Sequence, residues 1–345
     1  MGDRLALVTG GSGYFGSALV RRLLGRGLRV RVFDLRDADD RPPGVAFLRG
    51  DIRDEGAVAR ACEGVDVVHH AVAQVPLAKD ARLFRSVNVE GARTLLSCAR
   101  RAGVGKTVLV SSSAVYGAPE RNPVTESTPP RPREPYGAAK LEAERVAAGF
   151  VQGGLDVTVV RPRTILGHGR LGIFQIVFDW VRRGRPVWVL GRGNNRYQFV
   201  HADDLADACI LAGDRAGPAS YNVGTERFGT MREGLEALAR HAGTGSRVRS
   251  LPLGPAVRAM EVTSRLGLSP LGAYHSLMYG REMYFDVTAA REALGWHSTR
   301  SNDEMLCESY DWYLAHRGGA PARSDLSPHR AAVGQGILKL LEYVP

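Results

Sequence analysis

The stretch Leu5-Ala6-Leu7-Val8-Thr9-Gly10-Gly11-Ser12-Gly13-Tyr14-Phe15-Gly16 decides how the rest of the 345-residue chain is read. Its first five residues show no polar alternation, which predicts a strand buried on both faces of a parallel sheet. The helical pattern of Ser17 to Leu24 follows directly. Between strand and helix, Gly10, Gly13 and Gly16 supply a tight turn, a bare backbone beside a pyrophosphate, and close packing of helix on strand. The free N–H groups of the helix N-terminus then face the phosphates. A second strand, Val30 to Asp34, ends in an acid about 20 residues further on, placed to hold both ribose hydroxyls and to repel a 2′-phosphate. The pattern predicts NAD; Arg36, just beyond, leaves some room for NADP.

Working outward, Val45 to Leu48 reads as a third strand leading to Gly50-Asp51-Ile52-Arg53, where Asp51 can reach the adenine. A helix is predicted over Asp54 to Gly64, then a fourth strand from Asp66 to Ala73. The small Ala71 and Ala73 at its end let a dinucleotide lie against it. His69 and His70 are neighbours, so they point to opposite faces of a strand and read as packed histidines; no metal site is expected. Ala81 to Gly103 reads as one long amphipathic helix carrying Asn88. The fifth strand, Thr107 to Val110, runs into Ser111-Ser112-Ser113-Ala114-Val115-Tyr116-Gly117. Ligands of open parallel sheets bind beyond the carboxyl ends of the strands, which makes these hydroxyls candidates.

Beyond a proline-rich loop stands Tyr136-Gly137-Ala138-Ala139-Lys140. At the start of a helix, Tyr136 and Lys140 share one face a turn apart. An ammonium there stabilises a tyrosinate and lowers a phenol pKa that is normally near 10. Such a phenol can exchange a proton with an alcohol near neutral pH.

The bulk numbers suit this reading. A chain that is 44% hydrophobic and 24% charged is an ordinary globular protein with ample core. The net charge of +10 comes from arginines scattered through helices and loops. It reads as an Arg-rich surface that attracts anionic ligands, not as a nucleic-acid patch. Cys62, Cys98, Cys209 and Cys307 lie far apart, with neither zinc nor disulfide spacing, so a reducing cytoplasm is expected. The first residues lack a signal-peptide layout, and no apolar run approaches the roughly 20 residues of a membrane span.

Taken together and in order, the motifs resemble those of the extended short-chain dehydrogenase/reductases, of the NAD-dependent epimerase/dehydratase type. The matching pieces are Thr9-Gly10-x-x-Gly13-x-x-Gly16, Asp34, Gly50-Asp51-Ile52, Asn88, Ser112 before Val115-Tyr116-Gly117, and Tyr136-x-x-x-Lys140. Arg161-Pro162, Val200-His201-x-Asp203-Asp204-Leu205, Tyr221-Asn222-Val223-Gly224 and Leu294-Gly295-Trp296 continue the likeness over roughly residues 5–315. The resemblance implies an α/β fold: a Rossmann-type doubly wound parallel sheet with a smaller, interwoven C-terminal substrate domain. The NAD-binding part would span 1–165, with 198–225 returning to it. The substrate part would span 166–315, and 316–345 would be a linker and tail that docks on the body or on a second subunit.

By resemblance, Ser112, Tyr136 and Lys140 are catalytic. Gly10, Gly13, Tyr14, Phe15, Gly16, Asp34, Asp51, Ile52, Ala71, Ala73, Asn88, Tyr136, Lys140 and Arg161 bind the cofactor. On the substrate side, Thr164 is the nearest match to an asparagine that sugar-nucleotide enzymes carry after the Arg-Pro strand. Tyr197 stands where they carry an arginine, and Arg196 or Arg281 would supply the cation for a diphosphate. Ser113 and Ala114 occupy the positions of the acidic pair of the 4,6-dehydratases, and the glutamate of the decarboxylases is also missing. That leaves a 4-epimerase or a plain alcohol dehydrogenase; the 4-epimerase, acting on a nucleotide-linked sugar, is favoured, as a homodimer without membrane or nucleic acid. Two alternatives stay open: a 3β-hydroxysteroid dehydrogenase-like oxidation of a hydrophobic cyclic alcohol, and an NAD-binding sensor without turnover.

Overall fold

The computed structural model describes residues 4–75, 80–266, 268–269, 271, 275, 278–317 and 334–343. Strand β1 (Leu5–Thr9) is buried along its whole length, as its unbroken apolar pattern requires. It sits inside a seven-stranded sheet in which every pairing is parallel. To one side lie β2 (Arg29–Asp34) and β3 (Ala46–Arg49); to the other lie β4 (Val67–His70), β5 (Lys106–Val110) and β6 (Val157–Pro162). The far edge is a strand that arrives much later in the chain, Ala219–Val223, registered on β6. The direction of winding reverses between β1 and β4, which opens a crevice at the carboxyl ends of these strands.

Helices cover both faces. Helix α1 (Tyr14–Gly25) packs with Ala202–Asp214 on one side, while α2 (Glu55–Cys62), α3 (Ala81–Phe84), α4 (Gly91–Arg101) and α5 (Pro135–Gln152) cover the other. A second core gathers Phe178, Trp180, Tyr197, Tyr310 and Tyr313 between helices Ile173–Arg182, Met231–Ala242 and Asn302–His316. Two small parallel pairs serve this part: Thr164–Leu166 with Phe199–His201, and Val187–Leu190 with Val248–Leu251. Among the described residues no helix is long and apolar enough to cross a membrane.

Two predicted elements take a different form. The helix expected over Ala81 to Gly103 is interrupted by a π-helical turn, Arg85–Glu90, which carries Asn88. Such turns often sit at functional sites because they swing one side chain out of helical register. Here Asn88 Oδ1 accepts from Gln74 N at 2.8 Å, and Asn88 Nδ2 donates to Gln74 O at 3.1 Å. That pairing occupies backbone groups of Gln74 beyond the sheet, where β4 has already ended at His70 rather than Ala73.

The histidines are packed as expected. His70 Nδ1 lies 2.7 Å from Thr9 Oγ1, and burial pushes both His69 and His70 down to about 3, so they stay neutral. Among the described residues no cluster could hold a metal ion.

The predicted linker lies, from 318 to 333, outside the described residues. The tail beyond it, Gly336–Tyr343, docks on the body of the same chain, with Leu338 and Leu341 against the second core. Glu342 accepts from Arg183 at 2.5 and 2.6 Å and from Trp180 Nε1 at 3.0 Å, and its side chain is fully enclosed. Glu342→Ala should destabilise the fold by about 2 kcal/mol, less than a wholly buried pair because Arg183 still touches water. The shift in a urea-denaturation midpoint reads this directly.

Candidate active site

A cleft of about 640 Å³ runs along the carboxyl ends of the strands, from the acids after β2 to the start of Ile173–Arg182. At its first end, Gly10 has φ +76°, and a Cβ there would stand 2.8 Å from Val72 N. A Cβ on Gly16 would come within 2.0 Å of Gly10 O, so α1 can close on β1 only without side chains. Gly13 caps α1 with no side-chain bond to its free N–H groups, and an added Cβ would meet only Gly10 O within 4 Å. An open, uncapped helix N-terminus on the cleft is what a pyrophosphate needs.

Asp34 Oδ2 accepts from Ser12 N at 3.1 Å and Oδ1 from Leu35 N at 2.7 Å. Burial raises its pKa, and these backbone bonds pull it back. Asp51 is clamped by Arg53 at 2.5 Å and held low by it; Asp51, Ile52, Ala71 and Ala73 all line the cleft, as do Tyr14 and Phe15. Asn88 does not line it; its grip on Gln74 positions the lining segment 71–75 instead. Asp34→Ala should cut the preference for NAD over NADP by about 100-fold, the loss of two charge-assisted hydrogen bonds together with a repulsive charge. Paired titrations with the two cofactors would measure it.

At the other end the α5 N-terminus is built with care. Pro135 takes the first helical position, and the Glu134 carboxylate accepts from Tyr136 N at 2.8 Å and Gly137 N at 2.6 Å. A Cβ on Gly137 would stand 2.4 Å from Ala114 O, so this glycine lets α5 rest on the turn Ser113–Tyr116. Ser112 caps that turn, its Oγ accepting from Ala114 N at 3.2 Å. Tyr136 is buried, edge-on to Phe84 at 5.9 Å. Lys140 lies one turn along, its Nζ donating to Val110 O at 2.9 Å. Burial pulls the Lys140 ammonium down to about 8, and the Glu144 carboxylate, another turn on, opposes this. Ser112, Tyr136 and Lys140 all line the cleft.

Behind Lys140 runs a buried polar chain whose central member, Glu144, carries no motif in the sequence. Glu144 takes both Nε (2.9 Å) and Nη2 (2.7 Å) of Arg161 and a hydrogen bond from Ser111. Arg161 Nη1 donates to Tyr116 Oη at 2.8 Å, which donates to Asn222 Oδ1 at 2.9 Å. Arg161 is therefore committed to Glu144 and Tyr116 and stands outside the cleft lining. The i, i+4 spacing of Lys140 and Glu144 is the signal that could have found Glu144.

Of the expected substrate residues, Ser113 and Thr164 line the cleft. Thr164 Oγ1 lies 2.8 Å from Tyr197 Oη, which places Tyr197 one layer behind. Arg196 is exposed and stacked on Tyr284 and Phe228, at 4.2 and 5.0 Å, and Arg281 is exposed; neither lines the cleft.

A doubly wound parallel sheet with a bare glycine turn at its switch point and Ser, Tyr and Lys gathered beyond β5 defines a nicotinamide-dependent enzyme. The family model described as "NAD dependent epimerase/dehydratase family" matches residues 6–224. Protein y4nG of Sinorhizobium fredii is 53% identical over 341 residues, covering 99% of this chain and 86% of its own length. A UDP-glucose 4-epimerase of Streptomyces lividans is 30% identical over 345 residues, covering 91% of this chain and 97% of its own. The solved structure of MoeE5 in complex with UDP-glucose and NAD superposes with a TM-score of 0.74 at 26% identity, covering 90% of this chain and 99% of that one. The chain belongs to the NAD-dependent epimerase/dehydratase family and is an NAD-dependent enzyme of the extended short-chain type.

Proposed function

We propose that the protein epimerises a nucleotide-linked sugar at a ring hydroxyl, most simply C4, through a keto intermediate. One observation carries the choice. Every acid that lines the cleft among the described residues (Asp34, Asp37, Asp39 and Asp51) belongs to the end after β2 and β3. At the reacting end no described carboxylate lines the cleft beside Ser112, Ser113, Tyr136 and Lys140: Glu134 is taken up by the α5 N-terminus and Glu144 by Arg161. Proton exchange with an alcohol is available there; acid–base elimination of water by a carboxylate pair is not.

In this reading Tyr136 takes the hydroxyl proton as the carbinol carbon loses its hydride. Ser112 hydrogen-bonds the same oxygen, and the Lys140 ammonium holds the phenol toward its ionised form. NAD, when bound, would supply the hydride acceptor and donor. The cleft holds the ketone while it turns, so that the hydride comes back to its opposite face and Tyr136 restores the proton. Gly13 and the α1 N-terminus would hold the pyrophosphate, and Asp34 the ribose. The four free cysteines suit a reducing cytoplasm, and a homodimer is the assembly expected of this reading.

The test is a panel of UDP-, dTDP- and GDP-sugars with the purified protein, products resolved by NMR. An epimer without net NADH supports the reading. A released ketone with one NADH per turnover would replace it by a net dehydrogenase.

A further inference from the structure

Lys140 and Glu144 stand one turn apart on α5, and both are buried, at 5% and 8% exposed. Two adjacent residues at the end of β5 hold them: Lys140 Nζ donates to Val110 O at 2.9 Å, and Ser111 Oγ donates to Glu144 Oε1. Glu144 also takes Nε and Nη2 of Arg161, itself largely enclosed. A phenol, an ammonium, a carboxylate and a guanidinium therefore follow one another, from Tyr136 at the cleft to Arg161 outside its lining.

The two cations of this series are not alike. A guanidinium keeps its proton inside a protein, whereas a buried ammonium readily loses one. Without the carboxylate two enclosed positive charges would be neighbours, and Lys140 is the one that yields. A neutral Lys140 exerts no charge in favour of a tyrosinate, so Tyr136 would keep its proton until the pH nears about 10, as an ordinary phenol does. Burial already draws the Lys140 ammonium down to about 8 against the pull of Glu144, which leaves little margin above neutral pH.

The other titratable groups around α5 do not supply this charge. His70, at the end of β4, is kept neutral by burial, and Glu134 is taken up at the helix start. Arg85 of the π-helical turn points outward to Glu142 and Glu90, and on α4 Arg93 and Arg101 form exposed pairs with Glu90 and Glu55. Lys106, at the far end of β5, pairs with Asp156. Tyr116 is engaged by Arg161 and Asn222.

We propose that Glu144 is a positioning residue for the hydride step: its carboxylate, next along α5 and fixed by Ser111 and Arg161, keeps Lys140 charged beside Tyr136. Glu144 does not line the cleft and acts only through the ammonium. It does so with Tyr136 and Lys140 in the roles proposed above, whatever alcohol is the substrate.

The chain holds four lysines, Lys79, Lys106, Lys140 and Lys339, so the ε-carbon NMR signal of Lys140 can be followed in the NAD-saturated protein and assigned by its loss in Lys140→Met. In the wild type it should titrate at about 8. In Glu144→Gln the midpoint should fall by about one unit or more, the effect of removing a neighbouring opposite charge. Single-turnover hydride transfer at neutral pH, from whichever panel sugar the wild type converts, should slow by about 10-fold in that variant and recover as the pH rises. Glu144→Asp, which keeps the carboxylate, should restore most of the midpoint and the rate.

An unmoved midpoint in folded Glu144→Gln, or one that rises, would overturn the proposal and leave Glu144 a support of the fold alone. A loss of hydride transfer by one factor at every pH would do the same. If Glu144→Gln does not fold, the double variant Glu144→Gln with Arg161→Gln, which removes both members of the ion pair, decides. A midpoint below that of the wild type then sustains the proposal, and an unchanged one overturns it. The titration needs no substrate, so its outcome is separate from that of the sugar panel, which tests the nucleotide-sugar reading.

Discussion

Tyr136→Phe should lower turnover by about 1,000-fold while NAD binds as before, since the variant removes one oxygen and general acid–base transfer is worth about 100- to 10,000-fold. The physical case is local. Tyr136 is held by a helix start that Glu134 and Pro135 fix, and its ring is seated on Phe84. A phenylalanine keeps both contacts, so the fold and the cofactor pocket should survive. Single-turnover hydride transfer, followed at the nicotinamide absorbance, separates the step from product release. A variant retaining a tenth or more of wild-type turnover would remove Tyr136 from the chemistry.

Lys140→Met should have effects of opposite sign on activity and on stability. Activity should fall by about 100-fold or more with the loss of the charge that favours the tyrosinate. Stability near pH 7 should rise or hold. Burial lowers the folded-state pKa of Lys140 to about 8, below its unfolded value of about 10.4. Below pH 8 both states carry the proton and the folded state bears the full cost of the buried charge. Between about 8 and 10.4 the unfolded chain binds more proton than the folded one, so stability contributed by this group rises with pH there. The melting-temperature advantage of the methionine variant should therefore shrink as pH climbs through that window. Thermal melts of both proteins at pH 7 and pH 10 check this; an advantage that grows with pH would show that the charge supports the fold.

The fold was legible because its central signals are short-range. Strand β1, the glycine turn, α1 and the acid at the end of β2 are written in one continuous run, and each residue type there has a backbone or charge reason. The Tyr136–Lys140 pair was legible for the same reason, being one helical turn. What escaped was set by contacts across the chain. The π-helical turn at Arg85–Glu90 depends on Asn88 meeting Gln74, which no periodicity within the helix announces. Arg161 is turned by Glu144 and Tyr116 away from the cleft. Arg196 is read from its place beside Tyr197 and Arg281 from its charge, and neither signal says which face of a loop looks into the cleft. The docked tail shows the same limit: Glu342 finds Arg183 across 159 positions of sequence.

In the proposed reaction the enzyme removes a hydride from a sugar carbinol and returns it to the same carbon. The most direct measurement supplies UDP-glucose and UDP-glucuronic acid bearing deuterium on C4 to the NAD-loaded protein and follows the label by NMR and mass spectrometry. The expected product is an epimer with the deuterium still on C4 and no net reduced cofactor. An epimer that has exchanged its C4 label for solvent hydrogen, or no epimer alongside accumulating labelled NADH, would contradict it.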